Sequence, residues 1–323
     1  MKGPFVTTVP MPLRTRAFGV LLKKIAKEPT TPDQMIALRI KREKLLSTGV
    51  GRFVCGADSP NVEVDEVIAE IEGRAVRLRI HRPIGAVGTP PIVVNYHGGG
   101  WCLGSPEQSR WMASRVAERA GAVVVSPVYR LAPEHPFPAA VDDACGALQW
   151  IGLHAADLGG DPGRIAVMGD SAGGNLATVA ALAARDAGGP ELRGQVLIYP
   201  AVEMYERWPS EDENADAPVL TSSGMHTFTE MYLAADHGTE DWRASPIRAA
   251  SHEGLSPVLI LTAGHDPLRD HGRHYREVLQ AAGVRVELID YPDTVHGFAA
   301  LPGVAPTAHT ALGDIVAFLK GVF

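Results

Sequence analysis

Short, nearly continuous apolar runs recur along the chain from residue 92 onward. Runs of this length without polar alternation are typical of strands that are buried on both faces, as in a parallel sheet. Helical patterns separate them, and strands that alternate with helices predict a mostly parallel sheet with helices on both faces. The predicted strands are Ile92–Tyr96, Ala122–Val125, Ile165–Met168, Val196–Tyr199, Val258–Leu261 and Val284–Ile289. The predicted helices are Ser109–Ala120, Ala139–Leu158, Ala172–Asp186, His271–Ala282 and Ala308–Phe318.

A different pattern precedes these runs. Val62–Ile71 and Ala75–His81 alternate apolar with polar residues, which predicts two antiparallel strands with one face buried. The dipeptide Gly73-Arg74 lies between them and predicts the turn of a hairpin. With this pair the chain has about eight strands, so the predicted fold class is α/β, with only the first pair antiparallel.

Two segments lie outside this alternation. Residues 1–52 predict two amphipathic helices, at roughly Arg14–Glu28 and Pro32–Ser47, in which apolar residues recur at helical spacing. Nearly sixty residues separate the sixth predicted strand from the seventh, and they include a helical pattern near Ser222–Ala234. Because this is too long for a plain crossover, we interpret about 203–245 as an insertion that forms part of a lid.

Composition and charge narrow the class of protein. Of the 323 residues, 46% are hydrophobic and 21% are charged, which excludes a disordered chain. The formal net charge is −7, so no nucleic-acid partner is expected. The charge is uneven, because residues 1–52 contain 11 Lys/Arg and 3 Asp/Glu, a net +8 that leaves −15 for the remainder.

The basic N-terminal helices allow two interpretations. A basic amphipathic helix can lie on a membrane surface. We favour a cap that packs over the main domain with its Lys and Arg side chains in solvent. The longest early apolar run, Ala17–Leu22, is too short for a signal peptide or a membrane span. Cys55, Cys102 and Cys145 form no CxxC pair, and so sparse a set of thiols predicts a reducing, cytoplasmic location.

A serine flanked by glycines stands between a predicted strand and a predicted helix. Arg164–Met168 is followed by Gly169-Asp-Ser171-Ala-Gly173, a G-x-S-x-G motif in strand–turn–helix context. Residues two before and two after the serine crowd together in such a sharp turn, so both must be small. The motif alone is weak in a chain with 34 glycines, where a serine-capped turn is the alternative. Its placement makes Ser171 the candidate nucleophile.

A run of three glycines follows the strand that begins at Ile92, in the sequence His97-Gly98-Gly99-Gly100-Trp101. Glycines at such a place let backbone N–H groups point into a site, and acyl transfer needs such donors for the developing oxyanion. The expected donors are the N–H groups of Gly98, Gly99 and Ala172. Neither nucleotide-binding glycine pattern occurs here, which disfavours a phosphate loop.

A serine nucleophile needs a base, and the base needs an acid that orients it. His296 comes just after the last predicted strand, and Asp266 follows the strand Val258–Leu261. Ser171, Asp266 and His296 therefore each lie at the carboxyl end of a parallel strand, where open α/β sheets place their sites. Their order along the chain, Ser then Asp then His, is that of the α/β-hydrolases.

Together these motifs resemble the hormone-sensitive-lipase-like esterases, the bacterial family IV carboxylesterases. The resemblance implies an α/β-hydrolase catalytic domain over 53–323, under a helical cap built from residues 1–52 and the insertion. It implies a serine carboxylesterase that hydrolyses short- to medium-chain esters through an acyl-enzyme, with no cofactor and no metal. A lipase, or an amidase or deacetylase with the same triad, are the alternatives. The motifs are His97–Trp101, Tyr129–Pro138, Gly169–Ala177, Asp266–Asp270 and His296–Phe298.

Several further positions carry weaker predictions. We interpret Asp170 and the Tyr129–Pro138 segment as structural braces. His271 stands where the family usually has Glu, which puts the surroundings of Asp266 in question. The sequence leaves the oligomeric state open, and pairing of an exposed last strand is one route to a homodimer. The candidate pocket walls, with core packing as the alternative for each, are Trp101, Met204, Tyr205 and Phe298.

Overall fold

The computed structural model describes residues 9–25, 28–234 and 240–323. Its strands are β1 (Val62–Ile71), β2 (Arg74–Pro83), β3 (Ile92–Tyr96), β4 (Val123–Pro127), β5 (Ile165–Asp170), β6 (Leu192–Ile198), β7 (Val258–His265) and β8 (Val286–Val295). They form one eight-stranded sheet in the order β1-β2-β4-β3-β5-β6-β7-β8. β2 is antiparallel to both β1 and β4, and every other neighbouring pair is parallel.

Helices cover both faces of the sheet. Residues of α5, α6 and α9 contribute to one apolar core, and residues of α4 and α10 contribute to the other. The helices are α1 (Leu13–Ile25), α2 (Pro32–Leu46), α3 (Gly49–Cys55), α4 (Arg110–Ala120), α5 (Ala139–Leu153), α6 (Ala172–Ala187), α7 (Pro209–Glu213), α8 (Ser222–Leu233), α9 (Arg269–Ala281) and α10 (Thr307–Val322).

The central strands are apolar without alternation because each of them supplies both cores. In β3, Ile92 and Val94 belong to the α5–α6–α9 side, whereas Val93 belongs to the α4–α10 side. All five residues of β3 and of β4 are buried. This pattern confirms the predicted α/β fold with a mostly parallel, eight-stranded sheet.

Two local features differ from the sequence-based predictions. The hairpin turn lies at Glu72 and Gly73, one residue earlier than predicted, with φ values of 50° and 74°. Two consecutive residues with positive φ match the twist of a two-residue hairpin, and glycine adopts such a φ readily. The helix α3 was not predicted. It crosses the expected domain boundary at residue 52, and Thr48 caps it by accepting the Gly51 N–H.

The N-terminal helices pack differently from their predicted apolar faces. Leu21 and Ile40 were expected on those faces, but their side chains are 53% and 47% exposed. In α1 the buried positions are Thr15 and Gly19 instead. The helices lie on the surface of the domain and bury only a narrow strip, so periodicity overstates the buried face. Residues 1–8, 26–27 and 235–239, which belong to the predicted cap segments, lie outside the described residues.

In the described part of the chain, no helix is both long enough and apolar enough to cross a bilayer.

Candidate active site

The candidate nucleophile stands in a strained turn between β5 and α6. Ser171 has φ 56° and ψ −119°, a backbone conformation that residues other than glycine rarely adopt. A Cβ at Gly169 would lie 2.1 Å from the Gly173 carbonyl oxygen, and one at Gly173 would lie 2.0 Å from that of Tyr96. Both contacts are with backbone, so the predicted need for small residues on each side of the serine is met by the structure.

Three side chains from different strand ends meet at this turn. The Ser171 hydroxyl donates to His296 Nε2 over 2.9 Å, and His296 Nδ1 donates to Asp266 Oδ2 over 2.8 Å. Because an ionised carboxylate only accepts, Asp266 places the imidazole proton on Nδ1 and leaves Nε2 free to accept. The structure therefore brings together all three residues that the sequence analysis selected as the triad.

The insertion helps to hold the acidic member of this group. Asp266 is fully buried, and its second oxygen accepts the Leu268 N–H over 2.8 Å. The Asn214 amide donates to the Asp266 carbonyl oxygen, and the Ser210 hydroxyl donates to that of Pro267. Ser210 and Asn214 lie in and next to α7, so a short helix outside the sheet fixes the loop after β7. Sequence patterns contain no signal for this contact.

The glycine loop after β3 is braced from below. The Tyr129 hydroxyl donates to the His97 carbonyl oxygen over 2.7 Å, and the two rings stack with their centroids 4.3 Å apart. His97 Nδ1 donates to the Gly98 carbonyl oxygen, and burial lowers the pKa of His97 to about 4. His97 is therefore neutral at pH 7. Tyr129 acts as a brace, as predicted.

One predicted oxyanion donor already has a hydrogen-bond acceptor in this structure. The Gly98 N–H donates to Asp170 Oδ1 over 2.9 Å, so it is already engaged and does not line the cavity beside Ser171. Burial raises the pKa of Asp170 to about 6, against the opposing effect of this hydrogen bond. The predicted bracing by Asp170 is thus observed, and it consumes the very N–H group that had been assigned to the oxyanion.

Gly100 is a candidate oxyanion donor in place of Gly98. Gly99 and Gly100 both line the cavity, with φ values of 132° and 59° that suit glycine. Ala172 is the first residue of α6, whose first N–H groups have no intrahelical acceptor. Among the described residues, the N–H groups of Gly99, Gly100 and Ala172 have no hydrogen-bond acceptor. They are the candidate donors for an oxyanion.

A cavity of about 170 Å³ opens above Ser171 and His296. Trp101, Met204 and Tyr205 lie on its wall, as proposed from the sequence. Trp101 is buried and stacks on Tyr232 with ring centroids 4.4 Å apart. The other wall residues include the apolar side chains of Val219, Leu220, Met225, Phe228 and Leu268.

Phe298 is not a wall of this cavity, contrary to the prediction. It is fully buried in the core beneath α4 and α10, in edge contact with Tyr199 and Tyr291. Gly297, which has a φ of 76°, turns the chain just after His296. The side chain of residue 298 consequently points into the core, and Gly297 itself lines the cavity.

His271 lies beside the site but does not contact the triad. Its Nδ1 accepts the Val202 N–H over 3.3 Å, and its ring edge meets Trp208. Burial lowers the pKa of His271 to about 3, so this side chain is neutral at pH 7. The histidine therefore braces the start of the insertion. Within residues 9–25, 28–234 and 240–323, no group of three or more His, Cys, Asp or Glu side chains is arranged to hold a metal ion.

Comparison with known proteins adds independent information. A family described as having the alpha/beta hydrolase fold matches residues 93–300. Carboxylesterase NlhH of Mycobacterium tuberculosis is 45% identical over 266 residues, 81% of this chain and 83% of its own length. Ethyl acetate hydrolase of Pseudomonas putida is 33% identical over 271 residues, 82% and 84% of the two chains. The structure of a hyperthermophilic esterase from the archaeon Pyrobaculum calidifontis, 36% identical, superposes with a TM-score of 0.85 and covers 97% of this chain and 99% of its own.

Proposed function

Because this chain belongs to the α/β-hydrolase family and is a carboxylic ester hydrolase, we propose that it hydrolyses short- to medium-chain esters through an acyl-enzyme on Ser171. The observation that carries the proposal is the unbroken hydrogen-bond chain from Ser171 through His296 to Asp266, with distances of 2.9 and 2.8 Å. It is the arrangement that a serine hydroxyl needs to become a nucleophile near neutral pH.

The reaction proceeds in two acyl transfers. His296 Nε2 takes the hydroxyl proton as Ser171 Oγ attacks the ester carbonyl carbon, and the carbonyl oxygen becomes an oxyanion. Collapse of this tetrahedral intermediate breaks the bond to the alkoxide, which leaves with the proton from His296. A water molecule then attacks the acyl-serine, with His296 again as base, and the carboxylic acid departs as Ser171 recovers its proton.

The oxyanion is stabilised by fixed donors. These donors are the N–H groups of Gly99, Gly100 and Ala172. The positive end of the α6 dipole also stabilises the oxyanion. Asp266 stabilises the imidazolium that forms in each step. Removing one such donor typically costs about 10²–10³ in kcat, so the donors contribute substantially to the rate.

Residues 1–52 and about 203–245 form the cap over this site in our proposal. Lys23 Nζ contacts the Asp216 carbonyl oxygen, and Glu28 accepts the hydroxyls of Thr221 and Ser223. The two segments thus touch each other, and residues of both line the cavity. The cap, rather than the sheet, determines which acyl and alcohol groups fit.

The size of the site supports small esters. Its volume of about 170 Å³ lies below the roughly 300–1,000 Å³ common for sites of drug-sized ligands. Ethyl acetate, named for the relative from Pseudomonas putida, belongs to this class of small ester. A series of p-nitrophenyl esters from acetate to palmitate tests the preference, and activity that rises only above substrate solubility would favour a lipase instead.

The decisive test is Ser171→Ala. We expect hydrolysis of p-nitrophenyl butyrate to fall by about 10⁴-fold or more, because residual catalysis without a nucleophile comes only from binding and the oxyanion donors. Labelling of the wild type by a fluorophosphonate, and its absence in the variant, shows that the serine is the reactive group. An active and unlabelled Ser171→Ala protein would refute the assignment. Paired anilide substrates separate ester from amide hydrolysis.

The net charge and the free thiols of the chain support proposals about its partners and its cellular location. We propose a cytoplasmic enzyme without a nucleic-acid partner, supported by the net charge of −7 and the free thiols of Cys55, Cys102 and Cys145. The edge strand β8 is the proposed contact of a homodimer, since a sheet edge presents unpaired backbone groups. Light scattering after size exclusion, compared with a β8 variant carrying Glu287→Pro, tests this contact.

A further inference from the structure

An arginine from the cap, Arg42, lines the active-site cavity. It comes from α2 and lines both this cavity and a neighbouring one of about 140 Å³. The two cavities share Val219, Leu220 and Phe228 as apolar walls. A group bound to Ser171 and extending towards the cap would therefore lie beside these apolar side chains and Arg42.

The other charged side chains around the cavity have partners. Glu203 pairs with Arg248 over 2.7 Å and also accepts the N–H groups of Met204 and Tyr205. The remaining pairs are Glu206 with Arg248, Arg207 with Asp212, Glu211 with His226, Asp170 with the Gly98 N–H, and His296 with Asp266.

Arg42 differs from all of these. Within the described part of the chain it forms no ion pair and no hydrogen bond. Cys55 lies within electrostatic range of Arg42, and its thiol is neutral because burial raises its pKa. Arg42 is exposed to solvent, and its guanidinium is protonated at pH 7. Of the two arginines on the cavity wall, Arg207 pairs with Asp212, whereas Arg42 has no carboxylate partner among the described residues.

A second arginine on the same helix has a structural role, in contrast to Arg42. Arg39, three residues earlier, donates to the carbonyl oxygens of Cys102 and Ala132 and forms a two-pronged pair with Glu134. That side chain is fully used in attaching α2 to the catalytic domain. Arg42 makes no such contact, so its five donors are available to a ligand in the cavity that this residue lines.

We propose that Arg42 selects esters that carry a carboxylate at the end remote from the reacting carbonyl, that is, half-esters of dicarboxylic acids. This inference rests on the proposed function at Ser171. The guanidinium fork matches a carboxylate in two parallel hydrogen bonds. The apolar residues between Ser171 and Arg42 accommodate the methylene chain that joins the two ends.

The test compares each half-ester with a neutral ester of the same chain length. Monoethyl succinate, glutarate, adipate, pimelate and suberate are measured against ethyl butyrate to ethyl octanoate. At the best chain length, we expect Arg42→Gln to lower kcat/KM for the half-ester by about 10- to 100-fold, mostly through KM, because a hydrogen bond to a charged group is lost. Neutral esters should change by no more than about twofold.

Two further variants make the result specific. Arg42→Lys keeps the charge but loses the fork, so half-ester hydrolysis should lie between wild type and Arg42→Gln. Lys44→Gln removes an equal charge from an exposed position of α2 that lines neither cavity, and it should leave the preference unchanged. Urea unfolding of each variant verifies folding.

The proposal is overturned if the ratio of half-ester to neutral-ester kcat/KM is the same in wild type and Arg42→Gln at every chain length. In that event normal hydrolysis of the neutral esters would leave the proposed function intact. If the wild type itself did not hydrolyse the neutral esters, the proposed function would be contradicted instead.

Discussion

The sheet and the cap hold their polar groups in different ways. Around the sheet, Asp266, His271 and Asp170 are buried, and each makes a defined hydrogen bond to a neighbouring loop. Between the two cap segments, the contacts come from Lys23 and Glu28, which are exposed. The catalytic side is therefore a rigid frame, whereas the cap is attached by contacts that water screens.

Apolar side chains show the same contrast. Thirteen large hydrophobic residues are exposed in the described chain, and eight of them lie between Val9 and Phe53. The N-terminal helices thus bury little of their own apolar surface, whereas β3 to β5 bury all of theirs. Since burial is the main source of stability, the sheet must supply most of the unfolding free energy and the cap most of the adaptability.

Matched glycine substitutions give the largest expected difference between the regions. In Gly173→Ala the new methyl group would lie 2.0 Å from the Tyr96 oxygen and 2.6 Å from the His97 oxygen, both backbone. We expect this to cost about 3–5 kcal/mol, since neither strand β3 nor helix α6 can yield. In Gly19→Ala the contact is Pro218 Cβ at 2.4 Å, across the loosely attached cap. A gain of about 1 kcal/mol in helix propensity should offset that strain.

Urea unfolding followed by tryptophan fluorescence measures both changes. Gly313→Ala in α10 is the control, because no atom lies within 4 Å of its added Cβ, and it should stabilise by about 0.5–1 kcal/mol. A cost for Gly19→Ala as large as that for Gly173→Ala would show that the cap is as rigid as the sheet.

The same contrast explains which site residues could be predicted. Ser171, Asp266 and His296 follow from topology, because the carboxyl ends of β5, β7 and β8 must meet at one edge of the sheet. Gly98 could not be excluded from the sequence, since its fate depends on where the Asp170 side chain turns. The prediction that Phe298 lines the cavity was wrong for a similar reason, because the left-handed turn at Gly297 directs its side chain into the core.

The cap was harder to predict because its structure depends on partners. Helical periodicity found α1 and α2 within a few residues, but it placed Leu21 and Ile40 on a buried face that is exposed. The role of Glu203 as an acceptor for the cavity wall also has no sequence pattern. Local pattern predicts that an element exists, and only tertiary contacts determine what it touches.

The next largest expected effect is the loss of folding stability in acid. The groups that cause it lie in the catalytic domain. Burial lowers the pKa of His97 to about 4 and that of His271 to about 3, from 6.5. The unfolded state therefore binds more protons below pH 6.5, and stability is lost as pH falls. Asp170 acts in the opposite sense, since its pKa is raised from 3.8 to about 6 and protonation favours the native state. Between pH 7 and 5 the two histidines cost about 4 kcal/mol and Asp170 returns between about 1 and 2 kcal/mol, so these three groups together cost about 2 to 3 kcal/mol.

Urea titrations at a series of pH values measure this loss. In His271→Asn, the side-chain oxygen can still accept the Val202 N–H, but the variant has no imidazole to titrate. We expect the drop between pH 7 and 5 to shrink by about 2 kcal/mol. A drop of unchanged size in this variant would mean that the buried imidazole is not its source.

The smallest expected effect on stability comes from the cap contact at Glu28. Its carboxylate accepts the Thr221 and Ser223 hydroxyls at the N-terminus of α8, whose positive dipole end favours a negative charge. Because Glu28 is exposed, Glu28→Gln should change the free energy of unfolding by less than about 1 kcal/mol. The same change should raise KM for a medium-chain ester by about two- to fivefold at constant kcat, a shift of no more than about 1 kcal/mol, because the contact that positions the cap segments over the cavity is weakened.

Steady-state kinetics on p-nitrophenyl hexanoate, together with urea unfolding, separates the two quantities. Asp33→Asn is the matched control, since it removes one exposed negative charge from the first turn of α2 without touching α8. A change in KM that appears only in Glu28→Gln would place the effect at the contact between the cap segments. If Glu28→Gln instead lowered kcat with KM constant, the contact would influence the chemistry of Ser171, and the division between a rigid catalytic frame and an adaptable cap would have to be given up.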